Sequence, residues 1–196
     1  MDLTYTPEQE AFRAEVRDWL ASNVPSQPLA SFDTEAGFAA HRDWERTLAA
    51  GNWGMVTWPE AFGGRACDLI QWLIFEEEYY RAGAPGRVNQ NGIFLLGPTL
   101  MEYGSEEQKA RFLPAMASGD EIWAQGWSEP NAGSDVVSMG LRADRDGDDF
   151  VLNGSKMWIT NGPTADVLVV YAKTDVQNGR ISAFLIEKGM PGFSIA

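Results

Sequence analysis

Two short segments carry the residues best suited to chemistry: Trp127-Ser128-Glu129-Pro130-Asn131-Ala132-Gly133-Ser134-Asp135 and Lys156-Met157-Trp158-Ile159-Thr160-Asn161-Gly162. In the first, Pro130 fixes φ and ends a strand. Ala132-Gly133-Ser134 lets successive backbone N–H groups converge on an anion as a nest, and Ser128 and Ser134 add hydroxyls. In the second, Trp158 offers a flat aromatic body. Thr160, two residues on in a predicted strand, presents its hydroxyl to the same side. Together these meet what a flavin asks of a protein: a surface for the ring, donors for N5 and the pyrimidine oxygens, and donors for the pyrophosphate. Residue type alone leaves plainer readings open. The first segment also fits a surface loop with an Asx turn, and Trp158-Ile159 also fits an ordinary half-buried strand. The sequence contains no GxGxxG, so a Rossmann-type nucleotide site is unsupported.

These segments need elements to hold them. Thr6-Pro7-Glu8-Gln9 opens a helix, with Thr6 as N-cap and Gln9 closing a capping box; Phe12, Val16, Trp19 and Leu20 share one face to near Asn23. A second helix runs from Thr34 to Ala50 and stops at Gly51. Pro59, Gly63 and Gly64 make Trp53 to Arg65 a loop. Asp68 caps a third helix ending near Gly83, Gly92 to Tyr103 reads as a fourth, and Ser105 to Gln108 opens a fifth as a second capping box. After Gly119 the texture changes to short β-branched and aromatic runs: 121–128, 141–144, 150–152, 156–160, 167–173 and 181–187. Asp146-Gly147, Asn153-Gly154, Asn161-Gly162 and Asn178-Gly179 punctuate them. The predicted class is α+β: an all-helical domain over 1–120, then an antiparallel β domain, an incomplete barrel or sandwich, over 121–196. The chain stops at Ala196 in what reads as a strand, so it is expected to be a piece, or the ordered portion, of a longer polypeptide.

Bulk properties narrow the function. The 196 residues carry a net charge of −13, which argues against nucleic acid or an anionic membrane as partner. No apolar run approaches the roughly 20 residues of a membrane span, and the acidic N-terminus is unlike a targeting segment; a cytoplasmic protein is expected. Cys67 is the only cysteine and reads as a small buried apolar residue. With one histidine and one cysteine there is no zinc constellation and no metal is expected. His41, mid-helix, reads as a surface residue. Glu76, Glu77 and Glu78 read as solvated helix faces and Glu129 as a turn-stabilising acid, so no catalytic residue is assigned.

Both segments, in wording and separation, resemble the middle domain of acyl-CoA dehydrogenases. The match extends back through Gly97-Pro98-Thr99-Leu100, Tyr103 to Lys109 and Phe112-Leu113-Pro114 to the N-terminal helix, and forward to Gly192-Phe193. The resemblance implies FAD as cofactor, an acyl-CoA substrate, α,β-dehydrogenation, and electrons passed to an electron-transfer flavoprotein. It also implies a homo-tetramer or dimer, with a hetero-oligomer as an alternative. By the same resemblance Trp127 and Ser128 bind the flavin's pyrimidine edge, and Gly133 and Ser134 lie by the pyrophosphate, Ser134 also touching the pantetheine. Trp158 and Ile159 pack on the flavin, and Thr160 donates to N5. Gln125 stands where many members carry an aromatic residue. The family's catalytic base is a Glu in a third, C-terminal helical domain, expected to lie outside these 196 residues. Alternatives within the fold are an acyl-CoA oxidase or flavin monooxygenase, a non-catalytic subunit completing a partner's flavin site, and a truncated relative.

Overall fold

The computed structural model describes residues 4–195, so the expectation about Ala196 itself lies outside the described residues. Helices α1 (Pro7–Asn23), α2 (Glu35–Ala50), α3 (Leu69–Arg81), α4 (Gly97–Tyr103) and α5 (Glu106–Ser118) precede strands β1 (Trp123–Gly126), β2 (Arg142–Asp146), β3 (Asp149–Asn153), β4 (Val167–Asp175) and β5 (Arg180–Glu187). The helix starts are where the caps put them. Thr6, Asp68 and Ser105 each accept from the N3 amide while Gln9, Gln71 and Gln108 reach back to the cap, satisfying two otherwise orphaned donors per helix.

The predicted fourth helix is two structures. Asn91–Leu96 is a π-helical turn, with Gly97 N–H bonding Gly92 O, and α4 follows. Pro98 has no N–H to give the preceding turn and its ring crowds a carbonyl four residues back, so widening the turn before it is the local solution.

The α1–α3 contact is electrostatic as well as apolar. The Glu78 carboxylate, its side chain 2 % exposed, takes Arg17 Nε at 2.7 Å and lies 3.6 Å from Arg13 Nη1, with Arg81 also in contact. The solvated reading of Glu78 is thus corrected: its neighbours on α1 bury it. Glu77 stays half-exposed, 3.1 Å from Arg13, and Glu76 is partly buried. Burial pushes the Glu78 carboxyl up, but hydrogen bonds and charge from Arg17 and Arg81 outweigh it and hold it below the usual range. A depressed folded pKa gives stability that is present above the ordinary carboxylate value and lost as pH falls through the folded one. Glu78→Gln should therefore cost about 2 kcal/mol at neutral pH, the scale of a charged hydrogen bond, and flatten the acid limb of the stability profile. Urea titrations from pH 7 down to pH 3 test this, and an unchanged acid limb would refute it.

His41 is likewise buried, at 6 % exposure, not on the surface. Its ring nitrogens face Gly86 O at 2.8 Å and Ala30 O at 3.2 Å, tying α2 to two loops. Cys67 is half-buried against the helical core, and burial raises its thiol pKa.

The sheet is mixed, which corrects the antiparallel expectation. β4 is central, pairing antiparallel with β5 along its length and parallel with β1; β2 continues the β1 side through one parallel bridge, Arg142↔Lys173, and β3 closes a hairpin on β2. β1 can lie parallel to β4 because residues 127–166 form a long crossover. Alternation along the strands builds two cores. Trp123, Val167 and Val169 face the helices and meet Trp58, Ile93, Leu113 and Met116; Ala124, Leu168, Val170 and Ala172 face the other way and meet Leu141 and Ala143. Two further strand expectations fail. Residues 156–160 form no strand, and 188–195 contain turns and coil only.

Between helices and sheet sits Asn89, fully buried. Its Oδ1 accepts from Trp123 N–H at 2.9 Å, and its Nδ2 donates to Met116 O at 3.2 Å and Glu121 O at 3.1 Å. Glu45 holds this segment from α2, accepting from the Val88 and Asn89 amides and from Arg87. The loop preceding the π-turn is therefore fixed on both sides.

Candidate functional site

After β3 the chain turns sharply. Gly154 has φ +147°, and a Cβ there would sit 2.9 Å from the Leu141 backbone, so only glycine lets the second segment leave β3 so close to β2. Trp158 and Asn161 then take left-handed φ of +62° and +64°. Two such residues break the extended geometry a strand needs, so the expected alternation of Trp158 and Thr160 on one strand face does not occur.

The two segments nonetheless meet. Met157 N–H donates to Ser128 O at 2.9 Å, and Lys156 Nζ donates to Trp127 O at 3.0 Å and Glu129 Oε1 at 2.9 Å. Glu129 also accepts from Gly140 N–H at 2.6 Å and Leu141 N–H at 3.1 Å. Burial pushes its carboxyl up, but Lys156 and the two amides outweigh that and hold it low. The turn itself is closed by main chain, Glu129 and Ala132 exchanging backbone hydrogen bonds at 2.8 and 3.1 Å across Pro130-Asn131, while the carboxylate ties it to Lys156 and to the start of β2. At the far end of the second segment, Asn161 Nδ2 donates to Val88 O at 2.6 Å, docking it on the loop that Asn89 anchors.

The other expected residues fall around this junction. Gln125 lies on β1, its Nε2 at 3.4 Å from Tyr171 OH. The Trp127 indole stacks on the Tyr171 ring, centroids 3.5 Å apart and 10° from parallel. Gly133 and Ser134 lie exposed on the turn after the Glu129–Ala132 bridge. Ile159 packs against the outer sheet core, Thr160 is exposed, and the Trp158 indole is 86 % exposed. Among the described residues, the N–H and hydroxyl of Ser128 and the hydroxyls of Ser134 and Thr160 have no protein partner. The donor set fits a group rich in acceptors, and an exposed indole on a strained backbone fits a flat ring.

Sequence reasoning missed Tyr171, Asn89 and the linking roles of Lys156 and Asn161. The only sequence signal was an opposite charge in each segment, Glu129 and Lys156, and nothing in the spacing paired them. Separately, a cavity of about 210 Å³ opens between α3 and the π-turn, lined by Trp72, Glu76, Arg87 and Phe94 among others. None of the expected site residues lines it. Burial there raises the Glu76 carboxyl pKa, with Trp72 and Arg87 opposing.

Comparison with known proteins decides the family. "Acyl-CoA dehydrogenase, N-terminal domain" matches residues 6–120 and "Acyl-CoA dehydrogenase, middle domain" matches residues 124–196. The chain belongs to the acyl-CoA dehydrogenase family. The acyl-CoA dehydrogenase IpdE1 of Mycobacterium tuberculosis is 40 % identical, over 95 % of this chain and 51 % of its own length. The mitochondrial isovaleryl-CoA dehydrogenase of Pongo abelii is 42 % identical, over 95 % of this chain and 45 % of its own. Among solved structures, the ChsE4-ChsE5 complex from Mycobacterium tuberculosis superposes with a TM-score of 0.84 at 34 % identity, covering 99 % of this chain and 50 % of that one. This acyl-CoA dehydrogenase chain thus spans about half the length of the curated relatives it matches. Among its described residues no helix is long and apolar enough to cross a membrane, and no cluster of acidic, histidine or cysteine residues could hold a metal ion.

Proposed function

We propose that this chain is the flavin-binding part of an enzyme that dehydrogenates an acyl-CoA thioester at its α and β carbons, using FAD and passing electrons to an electron-transfer flavoprotein. The observation that carries this is the junction of the two segments. The Met157–Ser128 and Lys156–Trp127 bonds join the segment that carries Ser128 and Ser134 to the one that carries Thr160 and the exposed Trp158 indole. Ser128 and the main chain at Trp127 would hold the pyrimidine edge, with Gln125 behind them. Gly133 and Ser134 would hold the pyrophosphate, Ser134 also meeting the pantetheine of CoA, while Trp158 and Ile159 cover the ring and Thr160 donates to N5. When bound, FAD supplies the acceptor for the hydride leaving the β carbon.

The α proton needs a free carboxylate. Glu129 and Glu78 are each committed to several donors and held acidic, which makes both poor bases, so the base is placed outside these residues. A structural relative that is a complex of ChsE4 with ChsE5 favours working within an oligomer, where the chain could also serve a partner's site. The test uses the full-length polypeptide. It should purify with or take up FAD, and anaerobic addition of acyl-CoA should bleach the visible flavin band. A protein that takes up no FAD ends the proposal.

A further inference from the structure

We infer that the Lys156–Glu129 ion pair is a positioning device for the flavin's pyrimidine edge and that its balance of charge sets the flavin's reduction potential. The inference rests on the flavin reading above and adds two residues to it. Both side chains are nearly buried, at 8 % and 9 % exposure. Lys156 Nζ holds Trp127 O while the next residue's amide, Met157 N–H, holds Ser128 O. One dipeptide therefore clamps the two consecutive carbonyls of the first segment, while the N–H and hydroxyl of Ser128 stay without a protein partner and free to meet a ligand. Glu129 fixes the clamp by accepting from Lys156 and the Leu141 amide through Oε1 and from the Gly140 amide, at the entry to β2, through Oε2.

The charge matters as much as the geometry. Reduction adds negative charge to the flavin, and charges in a partly buried setting act with an effective dielectric well below that of water. Intact, the pair is neutral overall. Removing Lys156 leaves the Glu129 carboxylate with two amide donors and no cation, one residue from Ser128. Removing the Glu129 charge leaves an ammonium there.

The experiment measures FAD affinity, reduction potential and thermal unfolding of the full-length polypeptide with Lys156→Met, Glu129→Gln and the double substitution. Lys156→Met should disfavour the reduced flavin by about tenfold in the reduction equilibrium, about 30 mV for two electrons, and Glu129→Gln should favour it by a similar factor. The double variant should return toward the wild-type potential while binding FAD more weakly. A pair that merely stabilised the fold would lower melting temperature and affinity without this reversal of sign, so shifts of the same sign, or none, overturn the inference. Should the single variants lose flavin entirely, restoration of binding by Lys156→Arg supports the charged clamp and failure of that rescue overturns it. Wild-type protein that takes up no FAD would instead overturn the flavin reading itself. Wild type that binds FAD, with variant potentials unmoved, would sink only the role of the pair.

Discussion

Asn89→Ala is expected to destabilise the folded chain by about 4 kcal/mol, since each buried polar group left unsatisfied costs about 1–3 kcal/mol. Two such groups depend on this side chain, the Trp123 N–H, which opens β1, and the Glu121 carbonyl; the Met116 carbonyl, its third partner, also accepts from Gly119 N–H at 3.4 Å. Trp123 and Met116 are themselves fully buried, so water cannot replace the amide without opening the core shared by helices and sheet. Asn89→Asp should be as damaging. It keeps an acceptor for Trp123 but turns a second oxygen toward two carbonyls and buries a charge. The loss should reach the candidate site as well, because the neighbouring Val88 carbonyl is the dock for Asn161. Urea denaturation followed by tryptophan fluorescence gives the stability, and limited proteolysis around 154–165 reports the loosened segment. A cost under about 1 kcal/mol would show that Asn89 is not the hub the bonds describe.

How much of this was legible in the sequence follows from how local each determinant is. Thr6, Asp68 and Ser105 cap their helices through bonds spanning three residues, so the boundaries of α1, α3 and α5 could be read directly. β4 was legible because its apolar run is buried on both faces. Its parallel pairing with β1 was not, because nothing in either strand records that the intervening crossover returns the chain in the same direction. Lys156 to Thr160 has strand-like composition, yet Trp158 and Asn161 adopt left-handed φ, held by Lys156, Met157 and Asn161 through contacts to residues distant in sequence. Glu78 and His41 looked exposed because what buries them belongs to other elements: Arg13 and Arg17 on α1 for the first, the Ala30 and Gly86 carbonyls for the second. The candidate site was thus recognisable by its residue types and family resemblance, while its joinery was carried by long-range bonds.

Trp158 allows stability and ligand binding to be pulled apart. A bulky residue at φ +62° costs of order 1–3 kcal/mol in backbone strain, and with its indole 86 % exposed it recovers little of this by burial in the chain alone. Trp158→Gly removes the strain. After allowing roughly 0.5–1 kcal/mol for glycine's greater freedom when unfolded, the flavin-free protein should be unchanged or more stable by up to about 1 kcal/mol. The same change removes a large aromatic surface whose stacking on a planar ring is worth about 0.5–1.5 kcal/mol beyond the area it buries, itself about 25 cal/mol per Å². FAD affinity should therefore fall by at least about tenfold, and by more if the indole covers the whole ring. Melting curves without flavin and fluorescence titration with FAD read the two effects independently. If Trp158 were an ordinary structural residue, the substitution would lower stability and leave FAD affinity alone, the opposite pattern in both measurements. On the proposed flavin reading, the strain at this exposed indole is recovered when a ring lies against it.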